Sequence, residues 1–195
     1  DHTTDIGPVL NLTYSIKKVD KKYYLKQYCA LTHEPLTLEI ENAEIIEGYG
    51  KKQYTDRYLS YLNNVVKGVG ENCQNIVFSP TSDSARKIAM ALGDTSNGIE
   101  GELIEYYGMT VRENYSLCQT LEKGVAYHHG KLPMHVRRTL EKAIADKKIN
   151  TVVCTTTLLQ GVNLPAQNVF IRNPHLYVKK QKESSELTNY EMANL

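Results

Sequence analysis

The chain changes from one hydrophobic period to another, and this change predicts an α/β protein. Apolar and polar residues alternate from Leu10 to Lys17 and again from Leu36 to Glu41, with a further strand predicted at Tyr23 to Cys29. A period of two is typical of strands with one buried face, so residues 8 to 41 are predicted to form a small antiparallel unit. From Tyr54 to Val69 the apolar spacing becomes helical.

Beyond that helix, short apolar strands alternate with amphipathic helices. Strands are predicted at residues 75–78, 124–128, 149–155 and 168–171, and the helices between them at residues 85–92, 99–107, 117–121 and 133–144. This alternation favours an α/β architecture, a parallel sheet with helices on both faces. We therefore expect a β-rich lead-in over residues 1 to 50 and an α/β domain over residues 51 to 195. In such sheets ligands bind at the carboxyl ends of the strands.

The composition argues against some classes of function but does not identify one. The 195 residues carry a formal net charge of +1, so nucleic-acid binding would require a local basic patch. Lysines cluster within residues 17–22 and 179–182, a pattern equally typical of solvated turns. The four cysteines are far apart and form no CxxC pair, which argues against a zinc site and favours a reducing, cytoplasmic setting. No apolar run is long enough to predict a membrane span.

The first candidate loop follows the strand at residues 75–78. It contains Ser79 and Thr81 and leads into a helix, whose free N–H groups would face an anion. Ordinary N-capping by Thr81 or Ser82 explains the same residues without any ligand.

The second loop follows the strand that ends at His128. His129, Gly130 and Lys131 lie between this strand and the next helix. Adjacent histidines in extended chain point to opposite faces, and no carboxylate or cysteine stands nearby in sequence, which argues against a metal site. Lys131 could reach a phosphate as a point charge.

The third loop is the most specific. It runs from Cys154 to Ala166 and combines three threonine hydroxyls with Gly161, Asn163 and Pro165. Hydroxyls and backbone N–H groups around a glycine suit phosphate oxygens, and the Asn163 amide can both donate to and accept from a sugar hydroxyl.

These three segments resemble motifs of superfamily 2 helicases of the DEAD/DEAH-box type. Residues 151–171 are similar to motif V of the Ski-like branch, residues 124–138 to its HHG-type segment, and residues 75–92 to motif IV with its helix. Residues 189–195 resemble the lead-in to motif VI, so the resemblance implies that the sequence stops just short of that motif.

The resemblance implies the second, C-terminal RecA-like domain of an ATP-dependent nucleic-acid helicase. It implies that Gly161 and Asn163 face the nucleotide. The remaining matched positions would bind single-stranded RNA or DNA: Ser79, Thr81, His129, Gly130, Lys131, Thr155 and Thr156. ATP and Mg²⁺ would be bound mainly by an upstream RecA-like domain of the same protein, which is the partner of this one.

The chain departs from a complete motor in identifiable ways. It contains neither a GxxxxGK[ST] phosphate loop nor an acidic DExD/H run, so the chain alone is expected to be an inactive half of an ATP hydrolase. Two alternatives remain open from the residues. One is a RecA-like module without motor function that binds nucleic acid or protein, and the other is a different nucleotide-binding α/β enzyme.

Overall fold

The structure of the protein is a computed structural model. It describes residues 12–29, 32–41, 43–46, 48–49, 54–92, 101–112, 115–159, 166–172, 175–178 and 183–186. The chain divides into two compact units, Asp1–Tyr49 and Gly50–Leu195.

The N-terminal unit is an antiparallel three-stranded sheet, which confirms the prediction from the period of two. Its elements are β1 (Leu12–Val19), β2 (Lys22–Cys29) and β3 (Leu36–Glu39), followed by the short helix α1 (Ala43–Ile46). The strand order is β1-β2-β3. Asp20 and Lys21 form the turn between β1 and β2 with φ of 45° and 69°. Two left-handed residues suit a tight hairpin, because the twist of such a turn matches that of the strands.

The expectation that this sheet has one buried face is wrong for the described residues. Leu12, Tyr14, Leu36 and Leu38 share a face, yet each side chain is 39% to 57% exposed. The period of two identifies residues that share a face, but it does not require another layer to cover that face.

The second unit contains a parallel four-stranded sheet with the order β5-β6-β4-β7. Its strands are β4 (Asn75–Phe78), β5 (Val125–His128), β6 (Thr151–Cys154) and β7 (Asn168–Phe170). Its helices are α2 (Asp56–Gly70), α3 (Ser82–Ala91), α4 (Gly101–Thr110), α5 (Ser116–Leu121), α6 (Met134–Ala145) and α7 (Thr156–Leu159). Every residue of β4, β5 and β6 is buried. The sheet is therefore the centre of the core, as a fully apolar strand pattern predicts.

Helices cover both faces of the sheet, as the sequence predicts. Successive side chains of β5 point to opposite faces. Tyr127 hydrogen-bonds through its hydroxyl to Ser116 of α5 at 2.7 Å, whereas His128 contacts Glu141 of α6 at 2.8 Å. Helix α4 contacts both of these helices, because the Tyr107 hydroxyl lies 2.9 Å from Thr139 of α6 and Cys118 of α5 donates to the Ile104 carbonyl.

Two segments differ from the prediction. Residues 156–159 form the short helix α7 instead of beginning a loop. A two-stranded antiparallel sheet, β8 (His175–Val178) with β9 (Glu183–Glu186), lies beyond the last strand predicted from the sequence. The sequence of β9 contains no apolar alternation, so the periodicity gives no signal for it.

The amino edge of the parallel sheet is held by a network of side-chain amides. The Asn75 Nδ2 group donates to the carbonyls of Gly70 and Cys73 at 2.8 and 3.1 Å, and Asn168 Nδ2 donates to Asn75 Oδ1 at 3.0 Å. On the adjacent residue, Gln74 Nε2 donates to the Ile149 carbonyl. Because these bonds join α2, β4 and β7, Asn75 fixes where the strands begin.

Gly70→Ala is expected to destabilise the protein, because its Cβ would lie 2.5 Å from Oδ1 of the fixed Asn75 amide. The expected loss is about 1–3 kcal/mol in the free energy of unfolding, as for other overpacked sites. Gly68→Ala is the matched control in the same helix, since nothing lies within 4 Å of its Cβ. It should gain up to about 1 kcal/mol from helix propensity. Urea denaturation measures both changes, and equal effects at the two glycines would contradict the steric argument.

Candidate functional site

Three strands of the parallel sheet end at the same level, and this brings the three candidate loops together. Cys154 at the end of β6 pairs with Phe78 of β4 on one side and with His128 of β5 on the other. The pairing continues past the strands, because the Ser79 amide donates to the Cys154 carbonyl at 2.8 Å and the Thr155 amide donates to the His128 carbonyl at 3.2 Å. The loops that follow the three strands therefore lie side by side at the carboxyl edge.

The first loop directs its hydroxyls into its own turn. Ser79 is fully buried, and its Oγ donates to the Thr81 carbonyl at 3.1 Å. Thr81 is the N-cap of α3, where its Oγ1 accepts from the Ser84 amide at 3.2 Å and lies 2.9 Å from the Ser84 hydroxyl. The N-capping interpretation of Thr81 is thus confirmed. Both hydroxyls shape the loop, while the exposed Thr81 remains at the surface.

The second loop begins at a histidine that is fully buried. Nε2 of His128 lies 2.8 Å from Oε1 of Glu141, so the imidazole N–H donates to the carboxylate. Burial lowers the pKa of His128 below its ordinary value, although Glu141 acts in the opposite direction; Arg137 lowers the pKa further. His128 is therefore a neutral imidazole that anchors the end of β5 to α6. Nδ1 of His128 has no hydrogen-bond partner among the described residues.

His129, Gly130 and Lys131 lie where the loop reaches the surface. The His129 ring stacks on Tyr127 with a centroid distance of 5.6 Å, and it is half-buried. Burial lowers the pKa of His129, and the neighbouring His128 ring and the Lys131 ammonium lower it further, while a backbone hydrogen bond and Asp83 act in the opposite direction. Gly130 and Lys131 are both exposed. Helix α6 starts immediately afterwards, and its N-cap, Pro133, makes no side-chain capping bond to the first turn.

The segment after β6 lies close to the second loop. A Cβ placed on Gly130 would lie 3.4 Å from Oγ1 of Thr157, so a side chain at Gly130 would be in van der Waals contact with Thr157. Thr155 is 9% exposed, and its Oγ1 donates to Thr157 Oγ1 at 3.4 Å. Thr156 is half-buried. Gly161 and Asn163, the predicted nucleotide-facing residues, lie outside the described residues.

Two contributors to this site are not identifiable from the sequence pattern. Glu141 lies 13 residues after His128, and its role depends on how α6 packs on the sheet. Thr157 stands out in the sequence only as a member of a hydroxyl triplet, although it is the residue that faces the Cβ position of Gly130. A carboxylate on the helix that follows a buried strand-end histidine is the signal that could have indicated Glu141.

The polar groups at the carboxyl edge are a lysine, threonine hydroxyls and the amino end of a helix. Within the described part of the chain, no group of three or more His, Cys, Asp or Glu side chains is placed to hold a metal ion. The edge instead offers Lys131, threonine hydroxyls and the amino end of α6, which together suit phosphate oxygens.

Comparison with known proteins identifies helicases. The chain is 30% identical over 144 residues to the ATP-dependent DNA helicase Hel308 of Caldivirga maquilingensis, a match covering 66% of this chain and 18% of the relative. It is 33% identical over 119 residues to Hel308 of Methanococcus vannielii, covering 61% of this chain and 15% of the relative. It is 43% identical over 72 residues to the human protein named helicase POLQ-like, a match covering 35% of this chain and 6% of the relative.

The chain contains a helicase-related region. The helicase-related region spans less than a fifth of the length of the Hel308 proteins it matches. No protein-family model matches the chain. Among the described helices, none is long and apolar enough to cross a membrane.

The helicase-related region should lose stability on acidification. The pKa values of His128 and His129 are lowered by folding, so the unfolded chain binds more protons than the folded chain once the pH falls towards 6.5 and below. The stabilisation is therefore full above the unfolded pKa and is lost as the pH falls through the folded pKa values. Urea midpoints measured between about pH 8 and about pH 5 should show this decline.

His128→Gln should flatten the pH dependence, since it removes one of the two titrating groups while it keeps an amide that can bond Glu141. His33→Gln, at an exposed residue of the N-terminal unit, is the control. The assignment to His128 fails if its variant retains the full wild-type slope.

Proposed function

We propose that the chain is the C-terminal motor domain of an ATP-dependent helicase of the Ski-like branch. In this proposal it binds the backbone of single-stranded nucleic acid along the carboxyl edge of its sheet. It also completes an ATP site with an upstream RecA-like domain. DNA is the favoured strand, because the Hel308 relatives are named as DNA helicases.

The observation that carries the proposal is the alignment of three loops at one sheet edge. The segments that resemble motif IV, the HHG segment and motif V are far apart in sequence, yet β4, β5 and β6 end level with each other. An edge of hydroxyls, backbone N–H groups and one lysine can hold phosphates without reading bases. A motor that moves along any sequence requires that kind of contact.

Each site residue has a distinct role in this proposal. Lys131 pairs with a phosphate, and the exposed backbone at Gly130 allows the strand to approach closely. Thr155 and Thr156 bind the backbone at the end of β6. Ser79 and Thr81 fix the shape of the first loop, with the surface of Thr81 available for contact.

His129 contributes as a neutral ring beside the lysine. Because burial keeps its pKa low, it accepts or donates a hydrogen bond without adding positive charge near pH 7. Its stacking on Tyr127 fixes the plane of the ring.

The ATP site depends on residues beyond this chain. Gly161 and Asn163 are proposed to face the nucleotide. The described residues contain no acidic cluster suited to Mg²⁺, and the sequence contains no phosphate loop of the GxxxxGK[ST] type. The chain by itself therefore does not fit ATP and Mg²⁺, which the upstream domain is proposed to hold. An intracellular location is also proposed, since none of the four cysteines forms a disulfide.

The parent protein, containing this chain and its upstream domain, should hydrolyse ATP faster when single-stranded DNA is added. A phosphate-release assay with and without oligothymidylate measures the stimulation, and oligouridylate tests whether RNA serves equally. The 195-residue chain alone is the matched control and should release no phosphate.

Absent or unstimulated hydrolysis by a folded parent protein would contradict the motor proposal. If that protein still bound single strands, the RecA-like binding module without motor function would be the better description.

Thr155→Val should weaken the binding of single-stranded DNA about tenfold to 100-fold, the typical loss for one hydrogen bond to a charged group. Valine keeps the shape of the side chain and removes only the hydroxyl, so the fold should persist. Thr155→Ser keeps the hydroxyl and should bind like the wild type. Fluorescence anisotropy of a labelled oligonucleotide measures affinity, and thermal melting monitors the fold. Unfolding of the valine variant would show that the hydroxyl serves the structure instead.

A further inference from the structure

On one face of the N-terminal sheet, lysines and tyrosines alternate along the central strand. Along β2, Lys22, Tyr24, Lys26 and Tyr28 occupy every second position, so their side chains leave the same face. We define the Lys–Tyr face as these four residues together with the residues that pair with them on β1 and β3. Those residues are Thr13, Ser15, Lys17, Val19, Thr37 and Glu39.

The charge of this face is positive. It contains three lysines and one acidic residue, Glu39, whose carboxylate lies 3.0 Å from the Lys22 ammonium. Neither Lys17 nor Lys26 has an ion-pair partner among the described residues. Lys17 pairs across the strands with Tyr24, and Lys26 lies between the two tyrosines along β2. Two uncompensated positive charges are therefore interleaved with aromatic rings.

Most of the face is accessible, although the hydroxyl of Ser15, opposite Lys26, is buried. Lys17 is exposed, Tyr28 is 37% exposed, and Tyr24 and Lys26 are half-buried. Residues on one strand are spaced at about 6.6–6.8 Å when they share a face, so rings and ammonium groups alternate at that interval. Thr13 and Thr37 add exposed hydroxyls at the margins.

The opposite face has a different chemistry. It carries Leu12, Tyr14, Ile16, Leu25, Leu36 and Leu38, with a single lysine, Lys18, near the hairpin turn. The Lys18 ammonium lies 5.3 Å from the centroid of the Tyr23 ring. The opposite face therefore provides a control within the same sheet, because it also contains a tyrosine and a lysine that can be substituted.

We propose that the Lys–Tyr face is a second binding surface for single-stranded DNA, separate from the carboxyl edge of the parallel sheet. Tyr24 and Tyr28 stack on bases, and Lys17 and Lys26 pair with phosphates. Charge complementarity selects a polyanion, and the interleaved rings select one that has stacking bases. The chemistry is tolerant of sequence, because every base has a face on which a ring can stack.

Binding of a labelled oligothymidylate of about 20 nucleotides to the full 195-residue chain tests the proposal. Tyr24→Leu/Tyr28→Leu should weaken binding about tenfold or more, whereas Tyr24→Phe/Tyr28→Phe should restore it, because phenylalanine keeps the ring. Lys17→Gln/Lys26→Gln should reduce the slope of log affinity against log salt by about 1.4, or about 0.7 for each phosphate that is no longer neutralised.

Tyr14→Leu/Lys18→Gln is the matched control on the opposite face, and it should bind like the wild type. An equal loss in this control would overturn the proposal, as would unchanged affinity in the variants of the Lys–Tyr face. Polyglutamate, a polyanion without bases, should compete less well than unlabelled oligothymidylate. Equal competition would also overturn the proposal, because it would show that the surface selects only for charge and does not use the tyrosine rings. If the double tyrosine variant does not fold, Tyr28→Leu alone provides the test at the more exposed ring.

The two binding surfaces can be separated experimentally. Loss of affinity in Thr155→Val with none in the Lys–Tyr variants would leave the proposed function standing and overturn this inference. The reverse result would support the Lys–Tyr face and count against the carboxyl edge.

Discussion

The level ending of three parallel strands is the constraint on which the candidate site depends. β6 lies between β4 and β5, and its last residue, Cys154, is in register with the last residue of each neighbour. The backbone bonds from Ser79 and Thr155 then extend the ladder by one residue into the loops. A shift of one residue in either pairing would move a loop along the sheet and turn its side chains to the other face.

The polar groups at the two edges of this sheet differ in their hydrogen bonding. At the amino edge, the Asn75 amide uses both its nitrogen and its oxygen in hydrogen bonds within the protein. At the carboxyl edge, nitrogen atoms of His128, His129 and Arg137 are buried without a hydrogen-bond partner among the described residues. Satisfied amides therefore make the amino edge a rigid base for the sheet.

Most of the second unit could be predicted from the sequence, because each of its strands is a short apolar run between helical patterns. Residues 75–78 and 151–154 are buried on both faces, so their composition alone indicates a parallel sheet. The grouping of the three candidate loops at one edge could also be predicted, because the carboxyl ends of parallel strands lie on the same side of a sheet. The directions of the loop hydroxyls could not be predicted. Ser79 and Thr81 form hydrogen bonds within their own loop, and no sequence pattern encodes those contacts. Helix α7 was missed because its threonines favour strands over helices.

The strand order also has a consequence for how the protein is made. β4 is the first strand of the parallel sheet to be synthesised, yet its neighbours β6 and β7 lie 76 and 93 residues later in the chain. At about 5–20 residues per second, the ribosome leaves both edges of β4 unpaired for several seconds. Ile76, Val77 and Phe78 are all apolar, so the growing chain exposes an unpaired hydrophobic strand during that interval. The arrangement that aligns the three loops thus leaves β4 without its sheet partners until most of the domain has been synthesised.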